Sequence, residues 1–103
     1  MDDIEDYDEV PIYPFSVEEY EKFPNQGDDV FFRRSLVMID IGYNNAMDRI
    51  TLFKIYHGEQ ELFLNLPETS WISTLGDAII HFESIEDYEE CAYARDLLNR
   101  ITD

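Results

Sequence analysis

Apolar residues in this chain recur at two different spacings, and each spacing predicts an element. Tyr88, Cys91, Ala94, Leu98 and Ile101 follow at steps of three and four, so they share one face of a helix predicted over about 85–101. Ser84 with Asp87 three residues on is a capping-box variant at its start. Glu86, Asp87, Glu89 and Glu90 fill the first turns while Arg95 and Arg100 come late, an order that suits the helix dipole. Upstream, Trp71, Leu75, Ala78, Ile79 and Phe82 recur at helical spacing and predict a helix over about 70–83, capped by Thr69 or Ser70. Gly76 inside it costs up to ~1 kcal/mol relative to alanine, or lets another backbone approach closely. The link between the two helices is short, which favours an antiparallel helix pair.

The middle of the chain has strand chemistry. Leu36-Val37-Met38-Ile39-Asp40-Ile41 is apolar on both faces and predicts a doubly covered strand over about 30–42, with Asp40 interrupting and Gly42-Tyr43-Asn44-Asn45 as a turn. A second strand is expected over about 49–57, with Thr51, Phe53 and Ile55 on one face. Gly58-Glu59 makes a tight reversal into a third over about 61–66, where Leu62, Leu64 and Leu66 share a face. Ser16-Val17-Glu18-Glu19 is a capping box that opens a short helix over about 16–23; Tyr20 and Phe23 face inward and Pro24 ends it. The expected fold class is therefore α+β: a small antiparallel three-stranded meander, a C-terminal helical hairpin packed on one face, and a short N-terminal helix. Residues 11–103 form one domain, and residues 1–10 carry too many like charges to fold on their own, which predicts an acidic flexible tail or one ordered only by a partner. Between them, Pro11-Ile12-Tyr13-Pro14-Phe15 is extended, and either packs along the domain's own core or docks a partner.

Charge changes the picture more than composition does. The chain carries 24 acids and seven bases in 103 residues, a net of −17. By segment the net is −10 over residues 1–30, zero over 31–66 and −7 over 67–103. Such a surplus repels nucleic acid and anionic membrane and attracts basic surfaces. Arg33, Arg34, Arg49 and Lys54 are the only candidates for a basic stripe, so neither direct nucleic-acid binding nor membrane binding is expected. No apolar run has the length of a membrane span and no signal peptide opens the sequence, so the expected location is cytoplasmic.

No constellation for catalysis is predicted. His57 sits beside a turn and His81 lies alone in a helix. Cys91, the single cysteine, excludes an internal disulfide, and its neighbours Glu89 and Glu90 would raise a thiol pKa rather than activate it. Zinc spacing, a calcium loop and a phosphate-cradling glycine loop are all missing from the sequence, so no cofactor is expected.

One segment carries a family likeness. Asp87-Tyr88-Glu89-Glu90-Cys91-Ala92, then Arg95-Asp96, then Leu98 and Ile101, resembles the UVR motif of the UvrB and UvrC repair proteins and of many other bacterial proteins. The likeness covers about residues 79–101. It implies an antiparallel helix pair that mediates protein–protein contact, without the repair proteins' excision chemistry.

Two functions follow as expectations, both in protein recognition. The first is a non-enzymatic acidic inhibitor of the phage anti-defence or immunity type. Its carboxylates would stand in for nucleic-acid phosphates and occupy a basic, nucleic-acid-binding surface of another protein. Its contacts would be Asp2, Asp3, Glu5, Asp6, Asp8 and Glu9 in the tail, with Glu18, Glu19 and Glu21, and a second face of Glu83, Glu86, Asp87, Glu89 and Glu90. The alternative, implied by the UVR likeness, is an adaptor or dimerisation module. It would work through an apolar seam of Phe82, Tyr88, Cys91, Tyr93 and Leu98, with a homodimer through the C-terminal helices as one form.

Overall fold

The computed structural model describes residues 10–14 and 16–103. Along the chain come α1 (Val17–Lys22), α2 (Pro24–Asn44), β1 (Arg49–His57), β2 (Gln60–Pro67), a 3-10 turn (Glu68–Ser70), α3 (Trp71–Ser84) and α4 (Tyr88–Thr102). β1 and β2 form a two-stranded antiparallel sheet, so the expected three-stranded meander is not what the chain builds. The segment predicted as the first strand, 30–42, is the greater part of the 21-residue helix α2.

The reason is tertiary. Leu36 and Ile39 are fully buried, with Ser35, Met38 and Gly42 beside them, and these positions step by three and four along one helical face. β propensity in Val30–Ile41 is overridden because that face meets the sheet and both other long helices. Pro24 both stops α1 and stands at the start of α2, where a missing N–H costs nothing. Gly42 is not a turn residue. A Cβ there would come 2.7 Å from Ile50 Cγ2 and 3.0 Å from Trp71 Cη2, so glycine lets the helix seat against β1 and α3. Ala46, at φ 54°, instead occupies the left-handed position that ends α2.

The core joins all the long elements. Leu36 and Ile39 meet Ile50, Leu52 and Phe53 from β1, Trp71, Leu75, Ala78 and Phe82 from α3, and Cys91, Ala94 and Leu97 from α4. A bulge between Thr51 and Phe53 lets Leu52 and Phe53 both turn inward, which strict alternation forbids. Gly58, at φ 66°, makes the predicted reversal. The outer edge of β1 is met at Lys54 by the chain around Ile12: Tyr13 N–H donates to the Lys54 carbonyl at 2.8 Å, and Lys54 N–H to that of Pro11 at 2.9 Å. The Tyr13 ring stands edge-on to Phe53. That part of the extended segment packs on the domain itself; Phe15 lies outside the described residues.

Two glycines make opposite predictions about stability. In α3, a Cβ at Gly76 meets nothing within 4 Å, so Gly76→Ala should raise stability by about 0.5–1 kcal/mol through helix propensity alone. Gly42→Ala gains the same propensity but forces overpacking, for a net loss of about 1–2 kcal/mol. Urea titration of the two variants beside the parent checks both signs; a stabilised Gly42→Ala would mean that helix and sheet are not in close contact there.

Candidate functional site

Arg33, near the middle of α2, ties the first half of that helix to the turn between α3 and α4. Its Nε donates to Asp29 Oδ2 at 2.8 Å, one helical turn back. Its Nη2 donates to Asp87 Oδ2 at 2.8 Å, and Nη1 stands 3.9 Å from Glu90 Oε1. The guanidinium lies over the Phe82 ring, 5.1 Å from its centroid. On the other side of Asp29, His81 Nε2 is 3.0 Å from Oδ1, which gives that carboxylate an imidazole donor as well. Hydrogen bonds to Asp29 and Asp87 raise the Arg33 pKa, so the guanidinium stays charged. Burial pushes the Asp29 carboxyl up, but the donors on Arg33 and His81 outweigh it and hold the group below its ordinary value. Asp87 is held down chiefly by Arg33.

The turn itself is a Schellman closure of α3. Glu86 N–H donates to the Glu83 carbonyl at 3.1 Å and Asp87 N–H to that of Phe82 at 2.9 Å, with Glu86 at φ 60°. Asp87, not Ser84, caps α4: its carboxylate accepts from Glu90 N–H, while the Ser84 hydroxyl donates to the His81 carbonyl inside α3. This corrects the predicted cap. Exposed around the turn are Glu86, Glu89, Ile85 (46 % accessible) and Tyr88 (64 %). With Arg33 and Asp87 they line a shallow open depression of about 580 Å³.

The carboxylates named from the sequence divide into three groups. Asp2, Asp3, Glu5, Asp6, Asp8 and Glu9 lie outside the described residues. Glu18, Glu19 and Glu21 are exposed on α1, which packs against α2; Glu19 closes the capping box with Ser16. In the second face, Asp87 and Glu90 are held by Arg33 and Glu83 by Arg95, which leaves Glu86 and Glu89 as the outward pair.

The apolar seam is mostly used internally. Phe82 and Cys91 are fully buried, Tyr93 and Leu98 are half-buried, and Tyr88 alone of the five is largely open. Burial raises the Cys91 thiol pKa. Tyr93 donates to Asp40 Oδ2 at 2.8 Å, and burial first, then that bond, pushes its pKa up to about 12. Arg100 reaches the same Asp40, so the acid that interrupted the predicted strand joins α2 to α4.

Two of the four candidate bases are drawn into hydrogen bonds of the fold itself. Arg33 belongs to the network above, and Arg34, about 100° further round the helix, donates from Nε to the Leu52 carbonyl at 3.0 Å. Arg33 is the residue that sequence reasoning missed. The Asp29–Arg33 spacing was a local signal, but Asp87 is 54 residues away. Among the described residues, no group of His, Cys, Asp and Glu side chains could hold a metal ion, and no helix is long and apolar enough to cross a membrane. No protein-family model matches the chain, and neither the curated proteins nor the solved structures yield a match.

The network makes a pH prediction. Asp29 and Asp87 have folded pKa values below their unfolded ones. Their stabilisation is therefore complete above the unfolded value of about 3.9 and is lost as pH falls through the lower, folded values. Acidification also relieves the repulsion of a chain at −17, so the informative quantity is the difference between the parent and Arg33→Met. Arg33 is 41 % exposed, so after allowance for screening that difference should be about 1–2 kcal/mol at neutral pH. It should close as the pH drops below about 4. Urea midpoints across pH check it; a gap that persists in acid would show that Arg33 acts by packing alone.

Proposed function

We propose that this chain is a non-enzymatic, acidic protein-binding inhibitor. It occupies a basic, nucleic-acid-binding surface of another protein and stands in for the nucleic acid, in the manner of phage anti-defence or immunity proteins. The supporting observation is the gathering of carboxylates around Arg33 and the α3–α4 turn, which we call the acidic end. Glu18, Glu19 and Glu21 are exposed on α1, which packs against α2, Glu86 and Glu89 are exposed at the α3–α4 turn, and Asp29, Asp87 and Glu90 gather around Arg33. Arg33, itself 41 % exposed, thus hydrogen-bonds two of these acids and stands beside a third, while the others project unpaired by it. Glu86 and Glu89 ride on a turn closed by main-chain hydrogen bonds, and carboxylates carried on an ordered backbone lose less entropy on meeting lysines and arginines.

The backbone at Glu86 supports the same reading. Its position favours glycine, and Glu86→Gly should stabilise the free protein by about 0.5–1 kcal/mol, read as a rise in the urea midpoint. A carboxylate kept there at a cost in stability fits a surface that uses it. A loss of stability on that substitution would show that the side chain serves the fold instead.

Capture of partners from a host lysate on the immobilised chain, at low and at high ionic strength, tests the function. The expected partner is a nucleic-acid-binding protein, retained at low salt and released by duplex DNA. Capture indifferent to both salt and DNA would refute the inhibitor reading.

A UVR-like adaptor is the second reading. Its support is Tyr88, 64 % exposed beside Ile85 at the tip of the helical hairpin. On that reading, Tyr88→Ala weakens partner binding more than reversing Glu86 and Glu89 does, and salt has little effect.

A further inference from the structure

The face of α3 turned away from the core carries an exposed apolar ridge that no described element packs over. Ile72, Gly76 and Ile80 follow at steps of four, which places them in one row along the helix. Ile80 is 66 % exposed, the highest value among the large apolar side chains described, and Ile72 is 50 % exposed. Gly76 sits between them over open space: nothing lies within 4 Å of the Cβ it lacks. Gly42 shows what a glycine needed by this fold looks like, with Ile50 and Trp71 pressed against it. Gly76 has no such neighbour among the described residues, and none of them offsets its cost to the helix. What glycine provides in an apolar row is a notch where a second helix can come close. The row is bordered by an acid and by an ion pair. Asp77 is exposed on one side, and Glu83, carrying Arg95, stands toward its C-terminal end.

We propose that the Ile72–Gly76–Ile80 row docks one amphipathic helix of a basic partner. Small residues of that helix cross over Gly76 between the two isoleucines. Its lysines or arginines, flanking the small residues, reach Asp77. Charge decides the occupant. A second copy of this chain, crossing antiparallel at Gly76, would bring the two Asp77 carboxylates toward each other between molecules of net charge −17. A cationic helix meets the opposite condition. The inference shares with the acidic-end reading only the sign of the partner's charge; the surface is a different one.

The test uses the full chain, isotope-labelled for NMR, and a synthetic helix of about 18 residues with alanine at every fourth position and lysines on either side. The same peptide with glutamates for lysines is the control. Expected are saturable shifts at Ile72, Gly76, Asp77 and Ile80 with the lysine peptide and none with the control. Gly76→Leu fills open space on an exposed helix, so it stays folded; it should weaken the peptide by about tenfold or more, by closing the notch. Glu86→Lys with Glu89→Lys should leave this affinity within about twofold. The proposal is overturned by an absence of saturable binding, by shifts confined to residues 85–90 or spread over all the acids, or by a Gly76→Leu variant that binds as the parent does. Each of those outcomes leaves DNA-releasable capture at the acidic end standing, and shifts confined to residues 85–90 would favour it, so the two readings fail separately.

Discussion

Trp71→Ala is expected to remove about 3–5 kcal/mol of stability, the range for deleting a large buried aromatic side chain. Trp71 is 1 % exposed and lies where three elements meet. Its ring edge covers Gly42 of α2, and its Nε1 donates to the Leu66 carbonyl of β2 at 3.2 Å. Alanine leaves a cavity between helix and sheet and withdraws the donor from a buried carbonyl, so transfer, cavity and hydrogen-bond losses act together. A domain of this size has a total stability of about 5–15 kcal/mol, so the variant should be partly unfolded at room temperature or lose most of its urea midpoint. Trp71→Phe keeps most of the volume and should recover over half of that loss. A Trp71→Ala variant within about 1 kcal/mol of the parent would mean that helices and sheet are not joined through this residue.

Reversing four carboxylates (Glu18→Lys, Glu21→Lys, Glu86→Lys and Glu89→Lys together) should weaken binding of the captured partner by about 10²–10³-fold at low salt, because each attraction becomes a repulsion. None of the four is buried, so the substitutions should leave the urea midpoint within about 1 kcal/mol of the parent and separate binding from folding. Charge reversal at Asp48, Glu59, Glu68 and Asp96 changes net charge equally at exposed positions outside the acidic end, and should cost far less. Equal losses from the two sets, read by calorimetry or surface binding, would show that total charge acts and not its placement.

The sequence made the C-terminal half legible because local and global signals agree there. Gly58-Glu59 sits between two alternating runs, and Trp71, Leu75, Ala78 and Phe82 keep helical spacing; the hairpins appear where those patterns put them. In α2 the signals conflict. Val30, Phe31, Val37, Ile39 and Ile41 favour strands singly, while Asp29–Arg33, Pro24 and the Leu36–Ile39–Gly42 spacing favour a helix collectively. Gly42 was ambiguous because a glycine needed for close packing and one needed for a turn look alike until Ile50 and Trp71 are in place. The acidic end was half legible. Glu86 and Glu89 could be named from their density of charge, but their partition from Asp87 and Glu90 depends on Arg33, whose partners come together only in the fold. Phe82 and Cys91 belonged to a helical face that a sequence cannot assign to self or partner, and the fold uses them itself.

Association of the captured partner with the chain, followed across ionic strength, tests the placement of charge most directly. We expect the logarithm of the binding constant to fall steeply and linearly with the logarithm of salt concentration, and the slope to flatten when Glu18, Glu21, Glu86 and Glu89 are reversed. An affinity unchanged between low and high salt would contradict the claim that these carboxylates are what the partner binds.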